Sequence, residues 1–155
     1  MQKRRIGSVS ITVCAWALAA AFSLSAHDDL DQDQRKLLLD PGGWEYTKVS
    51  DASSGVQLDH TCFDGTPHPD KCSGRLTLTE DEKFNQQLTI EGEGVSRHGT
   101  YKLDGDQLAF FDEYGTRDGP YTAEIDSAKK TLVLYMPQVR LELVLESEYR
   151  KKKKS

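Results

Sequence analysis

Two cysteines and two histidines lie within thirteen residues of the sequence, in the stretch HTCFDGTPHPDKCSG. One residue separates His60 from Cys62, and three separate His68 from Cys72. These residue types can hold zinc, and the two cysteines can instead form a disulfide. Structural zinc sites usually place two to four residues between paired ligands, which the first pair does not match. The redox environment in which the chain folds decides between the two chemistries, and a four-ligand zinc site stays open as the alternative.

The N-terminus predicts export from the cytoplasm. Lys3, Arg4 and Arg5 precede an uncharged run of fourteen residues, 11–24, and small residues follow it up to Ala26. These are the three parts of a cleavable signal peptide, here 1–26. The run is shorter than the roughly 20 residues of a membrane-spanning helix, which disfavours a retained anchor. We therefore expect a periplasmic or secreted protein.

Cleavage after residue 26 leaves two cysteines in an oxidising compartment. Cys14 is lost with the signal peptide, so Cys62 and Cys72 remain. An even pair in an exported chain most simply forms a disulfide. Closing a loop of this length stabilises the fold by roughly 2–3 kcal/mol in the chain-entropy model. The cysteine count therefore favours a disulfide over a metal site.

The charge balance excludes one large class of partners. The chain has 20 Lys and Arg against 25 Asp and Glu, and the first 26 residues carry three of the bases and no acid. The mature chain is therefore at −8, and the body that precedes the basic tail 150–155 is at −13. Such an acidic body repels phosphate backbones, so we expect no nucleic-acid partner. The tail is either a solubilising end or a weak contact to anionic membrane.

Motifs that would indicate catalysis are missing from the sequence. The histidines at positions 27, 60, 68 and 98 form no His-Glu-x-x-His motif, and no serine lies in Gly-x-Ser-x-Gly. Asp104-Gly105-Asp106 resembles the start of a calcium loop but lacks the later ligands. We predict a protein that is not an enzyme and has no cofactor and no bound metal.

From Trp44 onward the sequence consists of short strand patterns separated by turn residues. In the last of them Leu141, Leu143 and Leu145 alternate with polar or smaller residues, the period of a half-buried strand. Eight or nine such strands joined by short turns predict an all-β fold, an antiparallel up-and-down barrel over 42–149, with a two-sheet sandwich as the alternative. The glycine-rich stretch GEGVSRHG is predicted as a connection between strands. The acidic segment 27–41 is predicted as a short N-terminal helix or as a flexible leader.

Two stretches resemble a known family. Gly42-Gly43-Trp44 places a Gly-x-Trp at the start of the first strand, and GTYKLDGDQLAFFD carries a Gly-x-Tyr and an Asp-Gly-Asp hairpin. Both are similar to the small lipocalin-like (calycin) β-barrels of bacteria. The resemblance implies that Trp44 closes one end of the barrel. It also implies a basic residue that packs across this indole, for which Arg140 is the nearest match.

The same resemblance implies what the barrel does. A lipocalin-like barrel holds a small apolar molecule in its interior, unless its own side chains fill the space. The residues expected to line that interior are Tyr46, Tyr101, Phe110, Tyr121, Leu134 and Leu143. The sequence is also similar to bacterial inhibitors of secreted metalloproteases, in which an N-terminal segment, here 27–41, inserts into a protease partner. We therefore expect non-catalytic binding, of a small apolar molecule or alternatively of a protease.

Overall fold

A computed structural model describes residues 29–155, which form nine strands and two short helices. In chain order these elements are α1 (Gln32–Leu38), β1 (Trp44–Asp51), β2 (Leu58–Thr61), β3 (Cys72–Leu78), β4 (Lys83–Ile90), β5 (Glu93–Asp104), β6 (Gln107–Asp112), β7 (Arg117–Asp126), β8 (Thr131–Met136), β9 (Val139–Leu145) and α2 (Glu146–Lys154).

The sheet closes on itself. Strands β3 to β9 pair antiparallel in chain order, β1 pairs with β3, and β9 returns to pair with β1 from Trp44↔Leu145 to Asp51↔Val139. Eight strands therefore form a closed barrel, and β2 is one additional strand. The predicted antiparallel barrel of eight or nine strands is confirmed. Closure leaves an interior that receives every second side chain of each strand.

Strand β1 divides one of its edges between two partners. Its first two residues, Trp44 and Glu45, pair with β3, whereas its last four pair with β2 in the register Lys48↔Thr61 to Asp51↔Leu58. Strand β2 pairs with β1 alone among the described strands. At this end of the barrel β2 therefore lies along the edge of β1, whereas β3 stays paired with β4 as far as Cys72↔Ile90, and no backbone ladder joins β2 to β3.

Helix α1 covers the opposite end of the barrel. Its N-cap Asp31 accepts a hydrogen bond from the backbone N–H of Gln34, whose side chain accepts one from the backbone N–H of Asp31, a reciprocal capping box. The Gln34 side chain also donates to the backbone carbonyl of Ile125 at 2.9 Å, which ties the helix to β7. The indole of Trp44 is fully buried and donates to the carbonyl of Leu38 at 3.2 Å. This end of the barrel is closed, whereas His27 and Asp28 of the predicted segment lie outside the described residues.

The C-terminus differs from its prediction as a barrel that continues to residue 149 and is followed by a basic tail, 150–155. Strand β9 ends at Leu145, and α2 continues to Lys154. Glutamates occupy the first turn of α2 and lysines the last, the arrangement that the helix dipole favours. Arg150 pairs with Glu146, and Lys151 with Glu148 at 2.8 Å. The apolar alternation of β9 ends at Leu145, and the charge pattern of the following residues stabilises a helix instead of a strand.

The stretch GEGVSRHG also differs from its prediction as a connection. Residues from Glu93 to Gly99 form the first half of β5 and pair with β4 in unbroken register, Ile90↔Glu93 to Phe84↔Gly99. The turn itself contains only Glu91 and Gly92, both with positive φ. Glycines and charged residues obscure the strand pattern in this stretch, and its backbone ladder outweighs their low strand propensity.

We expect Gly43→Ala to destabilise the barrel more than Gly55→Ala does. Both glycines have positive φ, 73° and 79°, so both changes carry the cost of a left-handed alanine, about 1–2 kcal/mol. A Cβ at Gly43 would also lie 2.8 Å from the carbonyl oxygen of Leu76, whereas a Cβ at Gly55 would meet nothing within 4 Å. Urea denaturation should show an additional loss of about 1 kcal/mol or more for Gly43→Ala. Equal losses for the two variants would contradict a close approach of β1 and β3 at this point.

Candidate functional site

The end of the barrel away from α1 contains a cavity of about 300 Å³, the mouth cavity. It lies among strands β1, β2, β4, β5, β7 and β9 and the loop before β2. Most of the side chains that line it are apolar: Val49, Val56, Leu58, Leu88, Ile90, Val95, Val139 and Leu141. A further hollow of about 400 Å³ adjoins it between β2 and the β4–β5 hairpin and shares Leu58, Leu88, Ile90 and Val95. The cavity therefore opens beside β2, which pairs with β1 alone among the described strands.

Depth in the mouth cavity follows from the register of β4 and β5. Moving inward from the rim, the inward-facing pairs are Ile90↔Glu93, Leu88↔Val95 and Gln86↔Arg97. Gln86 is four residues from Ile90, roughly 13 Å along β4 at 3.3 Å per residue. The cavity therefore has an apolar wall near its opening and polar groups at its base.

Five polar side chains form this base, which we call the polar floor: Tyr46, Gln86, Arg97, Asp118 and Tyr121. The Gln86 amide donates to the Tyr46 hydroxyl at 2.6 Å. Arg97 Nη1 donates to Asp118 Oδ2 at 2.6 Å, and the Tyr121 hydroxyl donates to Asp118 Oδ1 at 2.8 Å. The Arg97 and Asp118 side chains are each about one quarter exposed, because they face the cavity. Strands β1, β4, β5 and β7 each contribute to this cluster, so barrel closure positions all of it.

Both tyrosines of the polar floor resist ionisation. Burial raises the pKa of Tyr46 to about 12, with a smaller opposing effect from its hydrogen bond with Gln86. Burial also raises the pKa of Tyr121, and the negative charge of Asp118 raises it further. Both hydroxyls stay protonated at neutral pH, which suits hydrogen bonding and does not suit the role of a general base.

Apolar side chains fill the interior beneath the polar floor. Phe110 packs edge-on against Phe84 at 4.9 Å and against Tyr121 at 6.0 Å between ring centroids. Leu134 and Leu143 are almost fully buried deeper in the core. The barrel thus has a filled half toward α1 and a hollow half toward the mouth.

The structure therefore separates the six predicted lining residues. Tyr121 lines the mouth cavity, and Tyr46 lies directly behind Gln86. Phe110, Leu134 and Leu143 belong to the filled core. Tyr101 lies toward the α1 end, where its hydroxyl donates to the carbonyl of Thr79 at 2.7 Å.

Sequence reasoning missed most of the site. It did not select Gln86, Leu88, Val95, Arg97 or Asp118, all of which line the mouth cavity. The signal that could have found the first two is the alternation of inward and outward residues in FNQQLTIE. Val95 and Arg97 lie in the stretch that was predicted as a connection, so the sequence did not indicate that both side chains lie on the same face of a strand.

Arg140 does not pack across Trp44 as the family resemblance implied. Trp44 pairs with Leu145 at the end of β9. Arg140 lies five residues earlier in β9, near the mouth, and pairs with Ser50. Arg140 is about half exposed and bonds Glu142 at 2.9 Å on the outer face. The backbone carbonyl of Leu38 accepts the hydrogen bond of the indole, so α1 closes this end of the barrel.

The cysteines and histidines of the opening stretch form separate pairs. Cys62 and Cys72 form a disulfide with a Cα–Cα distance of 4.7 Å, which confirms that prediction. His60 lies 3.0 Å from Glu91, and His68 lies 3.0 Å from Asp64. Across residues 29–155 no group of three or more His, Cys, Asp or Glu side chains is arranged to hold a metal ion. The disulfide joins the end of β2 to the start of β3 and so fixes the wall of the mouth cavity.

We expect the free energy of unfolding to fall between about pH 10 and pH 12. The unfolded chain ionises its tyrosines near pH 10, whereas folded Tyr46 holds its proton to about pH 12. The folded state then binds more protons, so stability decreases as pH rises through this window, by up to roughly 1.4 kcal/mol per pH unit for each such tyrosine. Urea denaturation at stepped pH measures the slope.

Tyr46→Phe should reduce that slope by the contribution of one tyrosine, because the variant removes the group whose pKa is raised. Tyr114→Phe, which removes a hydroxyl from an 85 % exposed ring, is the matched control. A slope that Tyr46→Phe leaves unchanged would contradict the buried, protonated state assigned to this hydroxyl.

None of the helices within residues 29–155 is long and apolar enough to cross a bilayer. Comparison of the chain with protein-family models, curated proteins and solved structures finds no match in any of the three.

Proposed function

We propose that this chain is an exported, lipocalin-like binding protein that holds a small, largely apolar molecule in its mouth cavity without catalysing a reaction. The observation that carries the proposal is the cavity itself, about 300 Å³, with apolar walls above a small set of converging polar groups. Small-molecule sites have this composition, and the volume lies at the lower end of their range. The Gly-x-Trp resemblance supports a lipocalin-like assignment of the barrel.

Exposed apolar side chains at the rim support the same function. Val56 and Val95 are 74 % and 53 % exposed and lie beside the opening. They account for two of the three large hydrophobic side chains that are markedly exposed among residues 29–155. Exposed apolar surface of this kind carries a cost in water, which a bound apolar molecule would relieve.

The polar floor favours binding over catalysis. Its charged groups are already bonded to each other, and Tyr121 donates to the same carboxylate. The raised pKa values of Tyr46 and Tyr121 keep both hydroxyls from acting as bases near neutral pH. These groups are arranged to hold a polar end of a ligand in a fixed orientation.

The disulfide supports export. Disulfides form and persist in oxidising compartments, and Cys62–Cys72 lies in a chain that begins with the three parts of a signal peptide. We therefore propose that the protein acts in the periplasm or outside the cell.

The protease-inhibitor alternative gains no support from the position of the N-terminal segment. Leu30 and Leu38 are buried against the barrel, and the Gln34 side chain is bonded to β7. Insertion of this segment into a protease would have to break these contacts. The segment instead covers the filled end of the barrel.

Blocking the mouth cavity should abolish binding of a neutral apolar dye. We expect N-phenyl-1-naphthylamine to bind the mature protein with one-to-one saturation and a rise in emission. Leu88→Trp places a large ring across the cavity and should weaken that binding by about tenfold or more. Fluorescence titration gives both dissociation constants.

Gln87→Trp is the matched control, since Gln87 precedes Leu88 on β4 and its exposed side chain lies on the outer face. This variant should bind the dye as the wild type does. Absence of saturable binding to the wild type, or equal binding by the Leu88→Trp variant, would contradict the proposed function.

Native mass spectrometry of the protein purified from its own host tests export and ligand together. We expect the mass of a chain that begins at His27, less the two hydrogens of one disulfide, and a second species heavier by one bound small molecule. A mass that retains residues 1–26 or two free thiols would contradict export.

A further inference from the structure

The polar floor carries two opposite charges that compensate each other. The Arg97 guanidinium and the Asp118 carboxylate form an ion pair at 2.6 Å, about three quarters shielded from solvent. Among residues 29–155, no other Lys, Arg, Asp or Glu side chain is bonded to this pair. The base of the mouth cavity is therefore charged but has no net charge.

Hydrogen-bonding capacity of both kinds is left over at this base. A guanidinium has five N–H donors, and the bond from Nη1 to Asp118 uses one of them. The Gln86 amide donates to Tyr46, while its amide oxygen has no partner among the described residues. The Asp118 oxygens each accept one bond and have lone pairs to spare. A ligand at this position meets donors and acceptors side by side.

A charged group on the ligand would disturb this balance. A carboxylate that approached Arg97 would lie next to the carboxylate of Asp118, and an ammonium that approached Asp118 would lie next to Arg97. Either would bring an uncompensated charge into a shielded site, which costs several times more than a neutral hydrogen bond returns.

The rim adds a second barrier to anions. Asp51 lines the mouth cavity, and Glu91 and Glu93 line the adjoining hollow. An anionic amphiphile must pass these carboxylates before it reaches the floor, in a body that is itself strongly acidic. The carboxylates at the rim and Asp118 in the polar floor thus both disfavour the carboxylate head of a fatty acid.

We propose that the mouth cavity binds amphiphiles with an uncharged head that both donates and accepts hydrogen bonds, such as a primary amide or an alcohol. The head lies on the polar floor between Arg97, Gln86 and Asp118. The apolar chain runs outward past Leu88 and Val95 and emerges at the gap beside β2. This inference rests on the proposed function and adds the chemical class of the ligand.

A series of ligands that differ in the head group alone tests the class. Octanamide, octanoate and octylammonium compete at neutral pH with bound N-phenyl-1-naphthylamine, and the midpoint of displacement is compared. Octanamide should displace the dye at a concentration about tenfold or more below either charged ligand, because an unpaired charge at a shielded site is penalised. Octanoate or octylammonium that displaces the dye as well as octanamide does would overturn the proposal.

Two substitutions should change the preference in opposite directions. Asp118→Asn keeps an acceptor for Tyr121 and leaves Arg97 uncompensated, so octanoate should gain at least about tenfold relative to octanamide. Arg97→Gln leaves Asp118 uncompensated, so octylammonium should gain instead. Asp104→Asn removes the same charge at the far end of β5, on an exposed residue, and should leave the ranking of the three ligands as in the wild type.

The outcomes separate this inference from the proposed function. If the wild type binds neither the dye nor any of the three ligands, the proposed function fails and this inference fails with it. If all three ligands displace the dye and octanoate does so at the lowest concentration, the cavity is a binding site and the head-group inference alone fails. The wild-type ranking decides the matter even where a variant fails to fold, which circular dichroism would show.

Discussion

The pairing of β1 with β9 is the contact on which the rest of this structure depends. It removes the two edges that the eight-stranded sheet would otherwise expose, and it satisfies their backbone groups along seven residue pairs. It also converts one face of the sheet into an enclosed volume. Once that volume exists, its contents are set by which residues alternate inward. Trp44 and buried aromatic and leucine side chains fill the half toward α1, whereas the half toward the mouth is a cavity with apolar walls and a polar base.

Closure also explains how two charged side chains come to lie inside a small domain. Arg97 and Asp118 sit on different strands, separated by β6 in the sheet, yet their side chains meet across the interior. Alone, either charge would carry a large desolvation cost, whereas together, with Tyr121 bonded to the carboxylate, they are compensated. Barrel closure shields this pair from solvent, because the same face of an open sheet would be exposed to water.

Much of the fold could be predicted from the sequence because its strands alternate clearly and its turns are short. The alternation of Leu141, Leu143 and Leu145 predicts β9, and all three side chains are buried. The disulfide was predictable because the export signal expected at the N-terminus would leave an even pair of cysteines. In both cases a local pattern carries the information.

The candidate site was much less predictable, because it is assembled from residues far apart in the chain. Arg97 occurs among glycines and charged residues, and nothing in its neighbourhood indicates that it faces the interior. Its position follows from pairing with Gln86 on β4, a property of register that the sequence of β5 alone does not encode. Aromatic residues attract attention as ligand contacts, but of the four selected only Tyr121 lines the mouth cavity. Arg140 fails for the same reason, since its distance from Trp44 depends on the register between β1 and β9.

The shared edge of β1 has a consequence for how descendants of this chain could diverge. The segment from Ala52 to Lys71 follows β1, contributes only the short strand β2 to the sheet and ends where β3 begins, and a disulfide ties it to β3. This segment belongs neither to the pairing of β1 with β9 nor to the end of the barrel that Trp44 closes. Insertions or deletions in this segment would therefore change the shape of the mouth and leave the eight strands of the barrel in place. Sequence change in this segment would therefore alter the opening of the barrel at little cost to its stability.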